Sequence, residues 1–297
     1  MALHKRSRSD TAFQIAAVLL FVLVFFVCAY PFYYIFIVSI SDPELVNKTT
    51  VKFLPLGLTL NNYKQVLELP GIFRSFGISV ARTVIGTVCT LFFTSILAYT
   101  LTKPQLPLRK FFYRYSVASM YISAGIIPWY LTMRNLGLKD NFLVYILPLA
   151  VSAYCLILIK TYIEQISGAL EESAMIDGAG FFTIYLKIIL PVCVPVLAAV
   201  AVFTAVNQWN QWIDNLLLVG DRSLKTLQLV LLDFLNQADT IAREASSGTG
   251  SSGGKAAITP FTLRMTITMV VTFPILLVYP VMQRYFISGI MVGAVKG

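Results

Sequence analysis

Residues 11–41 read TAFQIAAVLLFVLVFFVCAYPFYYIFIVSIS, thirty-one positions without one charged side chain. A helix of that length is more than enough to cross the hydrocarbon layer, which takes about 20 apolar residues. Five more charge-free runs follow, at 83–102, 115–133, 141–159, 188–213 and 265–283, each at least 19 residues long. A core helix of a soluble protein rarely goes so far without a charge, and six in one chain argue against that reading. The pattern predicts an all-α polytopic membrane protein whose six transmembrane helices fill 11–290.

Composition agrees. Of 297 residues, 57% are hydrophobic and 12% charged, against about a quarter charged in soluble domains. Mean hydropathy is +0.76. Too little polar surface is left to clothe a water-soluble globule, so an ordinary soluble enzyme is excluded.

The tail 1–10 carries Lys5, Arg6 and Arg8 and resembles the start of a secretory signal. The apolar run after it is too long for a signal segment and no small-x-small site closes it, so it is expected to stay as span one. Once Arg82 is set aside, Lys and Arg divide equally between the two sides of the membrane. Their totals leave orientation open, although the cluster Lys103, Arg109, Lys110 and Arg114 and the basic tail favour an inside N-terminus. The isoelectric point near 9.4 fits cationic loops beside anionic lipid. Nucleic acid is not expected, because no basic run interleaved with aromatics lies outside the spans.

On this topology two longer segments, 42–82 and 214–264, face outward. Within the second, SLKTLQLVLLDFL at 223–235 reads as an amphipathic helix lying on the membrane or plugging a vestibule. SSGTGSSGG at 246–254 reads as a flexible linker. TGSSGGKA at 249–256 fails as a phosphate loop at both ends, with Thr249 for the first glycine and Ala256 for the final Ser or Thr. Prolines 128, 148, 191, 195, 274 and 280 fall in or beside spans; they are either hinges or ordinary kinks, with Pro191 and Pro195 the foremost candidates.

Catalytic groups are scarce. The sole histidine, His4, is in the tail, which rules out a Ser-His-Asp or Cys-His arrangement in the membrane. Cys28, Cys89, Cys155 and Cys193 lie in spans without CxxC spacing, so neither a metal site nor a disulfide framework is expected. No carboxylate occurs inside a charge-free run, so an ion-coupled carrier lacks its usual acid. If the chain moves a solute uphill, the energy enters from elsewhere.

Between spans four and five, 172–191 reads ESAMIDGAGFFTIYLKIILP. Physically, 167–176 is a short helix with Glu171 and Glu172 near its start, where the dipole favours acids. Asp177-Gly178 stops it with a left-handed turn, and a second short helix carries Phe181 and Phe182 on its surface. Two readings remain: a connector on the lipid surface, or a bracket that docks into a partner's groove.

The stretch resembles the EAA loop of binding-protein-dependent ABC importer permeases, typically EAAxxDGAxxxxxFxxIxLP. Glu172, Ala174, Asp177, Gly178, Ala179, Ile188, Leu190 and Pro191 match in register; Ser173 and Tyr185 depart from it mildly. The ending, from Tyr279-Pro280 through Gln283-Arg284-Tyr285-Phe286 to Gly297, is similar to permeases for oligosaccharides and polysaccharide fragments. The resemblance implies the type I importer architecture and the carbohydrate branch, near the smaller permease of maltose-type systems. It further implies that 160–190 is a cytoplasmic coupling loop, with Phe181 and Phe182 as candidate anchors in an ATPase cleft. That breaks the tie in orientation and puts both termini, including the tail 284–297, in the cytoplasm of a bacterial inner membrane.

By the same resemblance the partners are a homologous second permease, two ATPase subunits that bind the ATP and magnesium, and an extracytoplasmic binding protein that delivers a saccharide. This chain itself would hold no cofactor and perform no catalysis. The competing reading is a self-sufficient secondary carrier or channel.

For the solute path, Asn207-Gln208-Trp209-Asn210-Gln211-Trp212 at the outer end of span five offers amides for hydroxyls and indoles for sugar C–H faces. Asn207 and Gln211 would share one helix face, and Trp209 and Trp212 another. The same residues also suit an interfacial aromatic belt. Arg82, near the outer end of span two, either snorkels to the surface or faces the pore.

Overall fold

A computed structural model describes the backbone of residues 8–49, 51–246 and 260–294, and the side chains of 12–49, 51–236, 261–278 and 280. The basic tail, the 246–254 linker with its failed phosphate loop, and the side chains of the 281–297 ending lie outside the described residues. Among the described residues the regular elements are all helices, and the one bridge pairs Ser41 with Leu58.

Three helices are long and apolar enough to span a bilayer: α1 (Arg8–Ser39), α2 (Ile72–Thr100) and α10 (Pro260–Ala294). All three overrun the charge-free segments. The α2 helix starts well before residue 83 because Arg74 and Arg82 lie within it, and α10 continues past 283 through most of the expected tail.

The remaining runs are not continuous helices. Run 115–133 is split between α3 (Arg109–Ser119) and α4 (Ile126–Asn135), with residues 120–125 irregular between them. Gly125 adopts φ 85°, which a helix cannot use, and Pro128 sits in the first turn of α4, where a missing N–H costs nothing. Run 141–159 bends by 46° between 142–149 and α5 (Ala153–Ile163). Run 188–213 bends by 80° where the segment Phe181–Val192 meets α8 (Val194–Asn210). The bend centres on Cys193, flanked by the two singled-out prolines; Pro195 cannot donate to the Pro191 carbonyl, so a straight helix is interrupted there. Among the described residues, three continuous helices are long and apolar enough to span, or five if each bent pair counts as one, rather than six unbroken helices.

The loop 160–190 contains α6 (Ala169–Ile176) and α7 (Phe181–Ile184). The amphipathic helix expected from 223 starts later: a 3-10 turn at Arg222–Leu224 precedes α9 (Leu227–Ser246). Of the two expected placements, on the membrane or plugging a vestibule, the burial of Leu227 and Leu229 within the chain speaks against the first for these two residues.

The chain divides into two compact units, Met1–Leu69 with Asp233–Thr272, and Pro70–Leu232 with Phe273–Gly297. In the first, Ile37, Val38 and Val51 form a small core with Tyr34, Leu56 and Met265. Asn62 locks the end of α1 there by donating to the carbonyls of Ser39 and Ser41 at 2.9 and 2.8 Å. Along α1, side chains such as Phe21, Phe25 and Phe26 are exposed, which is stable in lipid or against a partner and not in water. The second unit carries every candidate site residue.

Candidate functional site

One end of the second unit, the inner one on the expected topology, is built around the α6–α7 bracket. Helix α6 ends in a Schellman turn: the Ala179 amide donates to the Ala174 carbonyl at 2.9 Å and the Gly178 amide to Met175 at 3.0 Å. Gly178 sits at φ 81° with open space around it, so the position demands glycine for its backbone and not for lack of room. Asp177 is the residue at the helix C-cap.

The EAA-like residues divide by direction. Ala174 is buried in a core with Ile184, Tyr185, Ile189, Leu156 and Ile159, and Ala179, Ile188 and Leu190 pack against it. Glu172, Asp177, Pro191, Phe181 and Phe182 are exposed, the two phenylalanines at 46% and 63%. Ala174, Ala179, Tyr185, Ile188 and Leu190 hold the bracket to its own chain, whereas Glu172, Ile176, Asp177, Phe181 and Phe182 point away from it.

Two polar ties fix this end to α2. Glu171 pairs with Lys103, whose ammonium lies 4.0 Å from the Tyr99 ring centroid. Tyr99 and Tyr185 rings are 5.4 Å apart, and the Tyr185 hydroxyl shares a 2.7 Å hydrogen bond with Ser95. Glu171, which falls outside the eight matched positions, thus makes the ion pair, whereas Glu172 makes none among the described residues.

The opposite end, the outer one on the expected topology, contains a different construction. Arg82, 1% exposed, neither snorkels nor opens onto a pore. Its guanidinium donates to both Asp214 oxygens at 3.0 and 2.5 Å, to Gln208 Oε1 at 3.1 Å and to the Gln211 carbonyl at 3.1 Å, and it lies 4.6 Å from the Tyr145 ring centroid. The network continues outward. Asn215 donates to the Tyr145 hydroxyl at 2.6 Å and accepts from the Thr226 amide at 2.9 Å; Tyr145 donates to the Leu224 carbonyl at 2.8 Å; and the Leu227 amide donates to Ser79 on α2 at 2.8 Å. Nearby, Asp140 accepts from the Gly220 and Asp221 amides. At the loop's surface, the hydroxyl and amide of Ser223 hold the Asp221 carboxyl below the usual carboxylate range. Segment 213–227 is therefore strapped onto α2 and the 140–145 turn.

Gly86 makes this clamp possible. A Cβ there would lie 2.4 Å from Gln208 Nε2, so only glycine lets α2 and α8 approach with Gln208 between them. That Nε2 is buried without a hydrogen-bond partner among the described residues.

The stretch 207–212 is consequently dispersed. Helix α8 ends at Asn210, and Gln211 is extended with ψ 130°, so the face-sharing expected of Asn207 with Gln211 and Trp209 with Trp212 does not extend past the break. Trp209 is buried, edge-on to Phe76 at 6.2 Å, and borders an apolar cavity of about 230 Å³ with Val80, Val84 and Pro274. Gln208 is inside the clamp; Asn207 and Asn210 are exposed, and Asn210 accepts from Gln228 at 3.1 Å. Trp212 is 37% exposed. Gln211 borders a second, larger cavity of about 730 Å³ beside the break in run 115–133.

Asp214 and Tyr145 escaped the sequence reading. A run defined by the absence of charge stops at the first charge, so it placed Arg82 and Asp214 just outside their neighbouring spans. Two opposite charges, one directly before run 83–102 and one directly after run 188–213, were the available signal.

No family model matches the chain. It is 36% identical over 267 residues to Protein LplC of Bacillus subtilis (strain 168), covering 90% of this chain and 89% of that one. It is 34% identical over 279 residues to the polygalacturonan/rhamnogalacturonan transport system permease protein YtcP of the same organism, covering 93% and 96%. Among solved structures it superposes, with a TM-score of 0.83 and 30% identity over 95% of this chain and 99% of the other, on a chain from the crystal structure of a bacterial ABC transporter involved in the import of the acidic polysaccharide alginate.

Proposed function

The chain belongs to the permease subunits of sugar-importing ABC transporters, membrane components whose ATPase is a separate partner, and from that premise we propose how it acts and on what. It moves an oligosaccharide or polysaccharide fragment into a bacterial cytoplasm by alternating access, paired with a second, homologous permease. Two ATPase subunits bind the ATP and magnesium, and an extracytoplasmic binding protein delivers the solute. The membrane is crossed six times, the broken segment α3–α4 being the third crossing, and both termini lie in the cytoplasm.

The observation that carries this reading is the divided bracket. Ala174, Ala179, Ile188 and Leu190 face the chain's own core, which leaves Glu172, Asp177, Phe181 and Phe182 for a partner's groove. A connector lying on lipid would present apolar side chains alone; here Glu172 and Asp177 share the outward surface with Ile176, Phe181 and Phe182. Force applied to the bracket reaches α2 through Glu171–Lys103 and Tyr185–Ser95, and α8 through the bend between Pro191 and Pro195. That bend is the hinge. Packed helices joined in this way exchange discrete arrangements, which turns a small displacement into opening of a path.

The saccharide class rests on the permease relatives and on a chain without a coupling acid of its own: the buried Asp214 is already neutralised by Arg82. The test replaces Glu172 by Lys and, separately, deletes Gly178 in the assembled importer. Both changes are expected to abolish co-purification of the ATPase subunits and ATP-driven uptake. Retention of the ATPase after both would overturn the coupling role, and uptake driven by an ion gradient in vesicles holding this chain alone would favour the secondary-carrier reading.

A further inference from the structure

Two interruptions that are far apart in sequence meet at one cavity. Residues 120–125 break the run between α3 and α4, and 211–212 separate α8 from the short helix Ile213–Leu218. Between them lies a cavity of about 730 Å³ bordered by Ser123, Gly125, Trp129, Thr132, Gln211 and Ile213, among others. Its size falls within the roughly 300–1,000 Å³ of small-molecule sites.

The lining is largely apolar, with Met120, Ile122, Ile126 and Met133 beside the residues named, but the polar groups it does contain favour a hydroxylated ligand over an acyl chain. The amides of Ile122, Ser123 and Ala124 donate to no group among the described residues, and irregular backbone at membrane depth persists only where it is buried in protein or lines a water-filled space. The Gln211 side-chain amide likewise makes no hydrogen bond within the described chain. Its backbone is held in place: the buried Arg82 donates to the Gln211 carbonyl and the Gln211 backbone N–H donates to the Asn207 carbonyl. Trp129 packs on the core of Leu138, Val144, Tyr145 and Leu218 and borders the cavity beside it. No charged side chain borders the cavity.

We propose that this cavity is a saccharide subsite on the translocation path, in which Trp129 stacks on a pyranose C–H face while Gln211 and the free amides of 122–124 bond its hydroxyls. An aromatic face beside unsatisfied donors and a two-sided amide is the complement of a sugar ring, apolar above and below and polar around its edge. Arg82 serves as a positioning residue for Gln211 and not as a contact for a carboxylate, since its charge is spent on Asp214. The subsite reads ring shape and hydroxyls and is blind to charge, so any preference for acidic sugars arises outside it. This rests on the importer reading above.

The test uses the complete importer in proteoliposomes, with short oligogalacturonides and short maltooligosaccharides as the labelled probes. Ser123→Trp, a change at an exposed position, fills the cavity and is expected to cut uptake at least about tenfold while the ATPase subunits still co-purify. Trp129→Ala is expected to lose about tenfold and Trp129→Phe at most about threefold, because a ring face is kept. A Ser123→Cys chain supplies a readout of occupancy. Alkylation of that cysteine by a membrane-impermeant maleimide, followed by peptide mass spectrometry, is expected to slow when the transported probe is present. Wild-type uptake by Ser123→Trp and Trp129→Ala, or unprotected alkylation at Cys in place of Ser123, overturns the subsite alone. Failure of the unaltered importer to move either probe overturns the saccharide reading beneath it.

Discussion

The two ends of helix α8 are secured by opposite means. At the outer end, Arg82 and Asp214 are buried together, and each guanidinium nitrogen donates to a group of the same chain. At the inner end, the bracket satisfies its backbone through the Schellman turn yet leaves Phe181 and Phe182 without cover. A closed network stabilises the chain that contains it; an unfinished surface awaits another chain. The outer end should therefore respond to mutation through stability and the inner end through assembly.

The largest effect is expected from Arg82→Met, which strands the Asp214 carboxylate in the interior and should cost about 3–5 kcal/mol. Unfolding of the purified chain in mixed micelles measures it. The double replacement Arg82→Met with Asp214→Leu should recover most of that loss, because no isolated charge is left buried. Equal loss in single and double variants would mean that the clamp is not governed by its ion pair.

Gly86→Ala comes next, at about 1–3 kcal/mol, since the new Cβ must displace Gln208 from between α2 and α8. Adding Gln208→Ala to it should restore part of the loss by making room, read by the same unfolding measurement. At the inner end, Gly178→Val should cost about 1–2 kcal/mol, because a β-branched residue is strained at φ 81°. Its effect on ATPase co-purification should exceed anything that loss of stability explains.

The smallest effect on stability, within about 0.5 kcal/mol, is expected for Phe182→Ala, an exposed side chain. This variant should fold as the parent does and lose ATPase subunits on purification. If Phe182→Ala destabilises the chain as much as Gly86→Ala, the contrast between the two ends fails.

Much of this was legible in advance because some signals are local. Glycine after Asp177 announces a left-handed turn, and the structure places Gly178 in one, with the hydrogen bonds of a Schellman turn around it. The exposure of Phe181 and Phe182 followed from a four-residue helix with little room to hide them. The bend near Pro191 and Pro195 was foreshadowed by their missing donors, though its 80° was not. Reading failed where partners are far apart in sequence. Arg82 meets Asp214 across 132 positions, and residues 207–212 were assumed to stay helical to their end, whereas the ties of Gln211 and Asp214 to Arg82 accompany an extended Gln211.

The sequence by itself determined that the chain lives in a membrane, where its helices turn back on themselves, and which short stretch carries the EAA pattern. Those properties depend on hydropathy and on backbone conformations set residue by residue. Only the tertiary structure decided that run 115–133 is broken, that Arg82 is spent within the chain, and that Gln211 and Trp129 border one cavity. The reason is physical: the cost of burying a charge or an irregular backbone segment depends on what stands opposite it, and the opposite group is supplied by the fold.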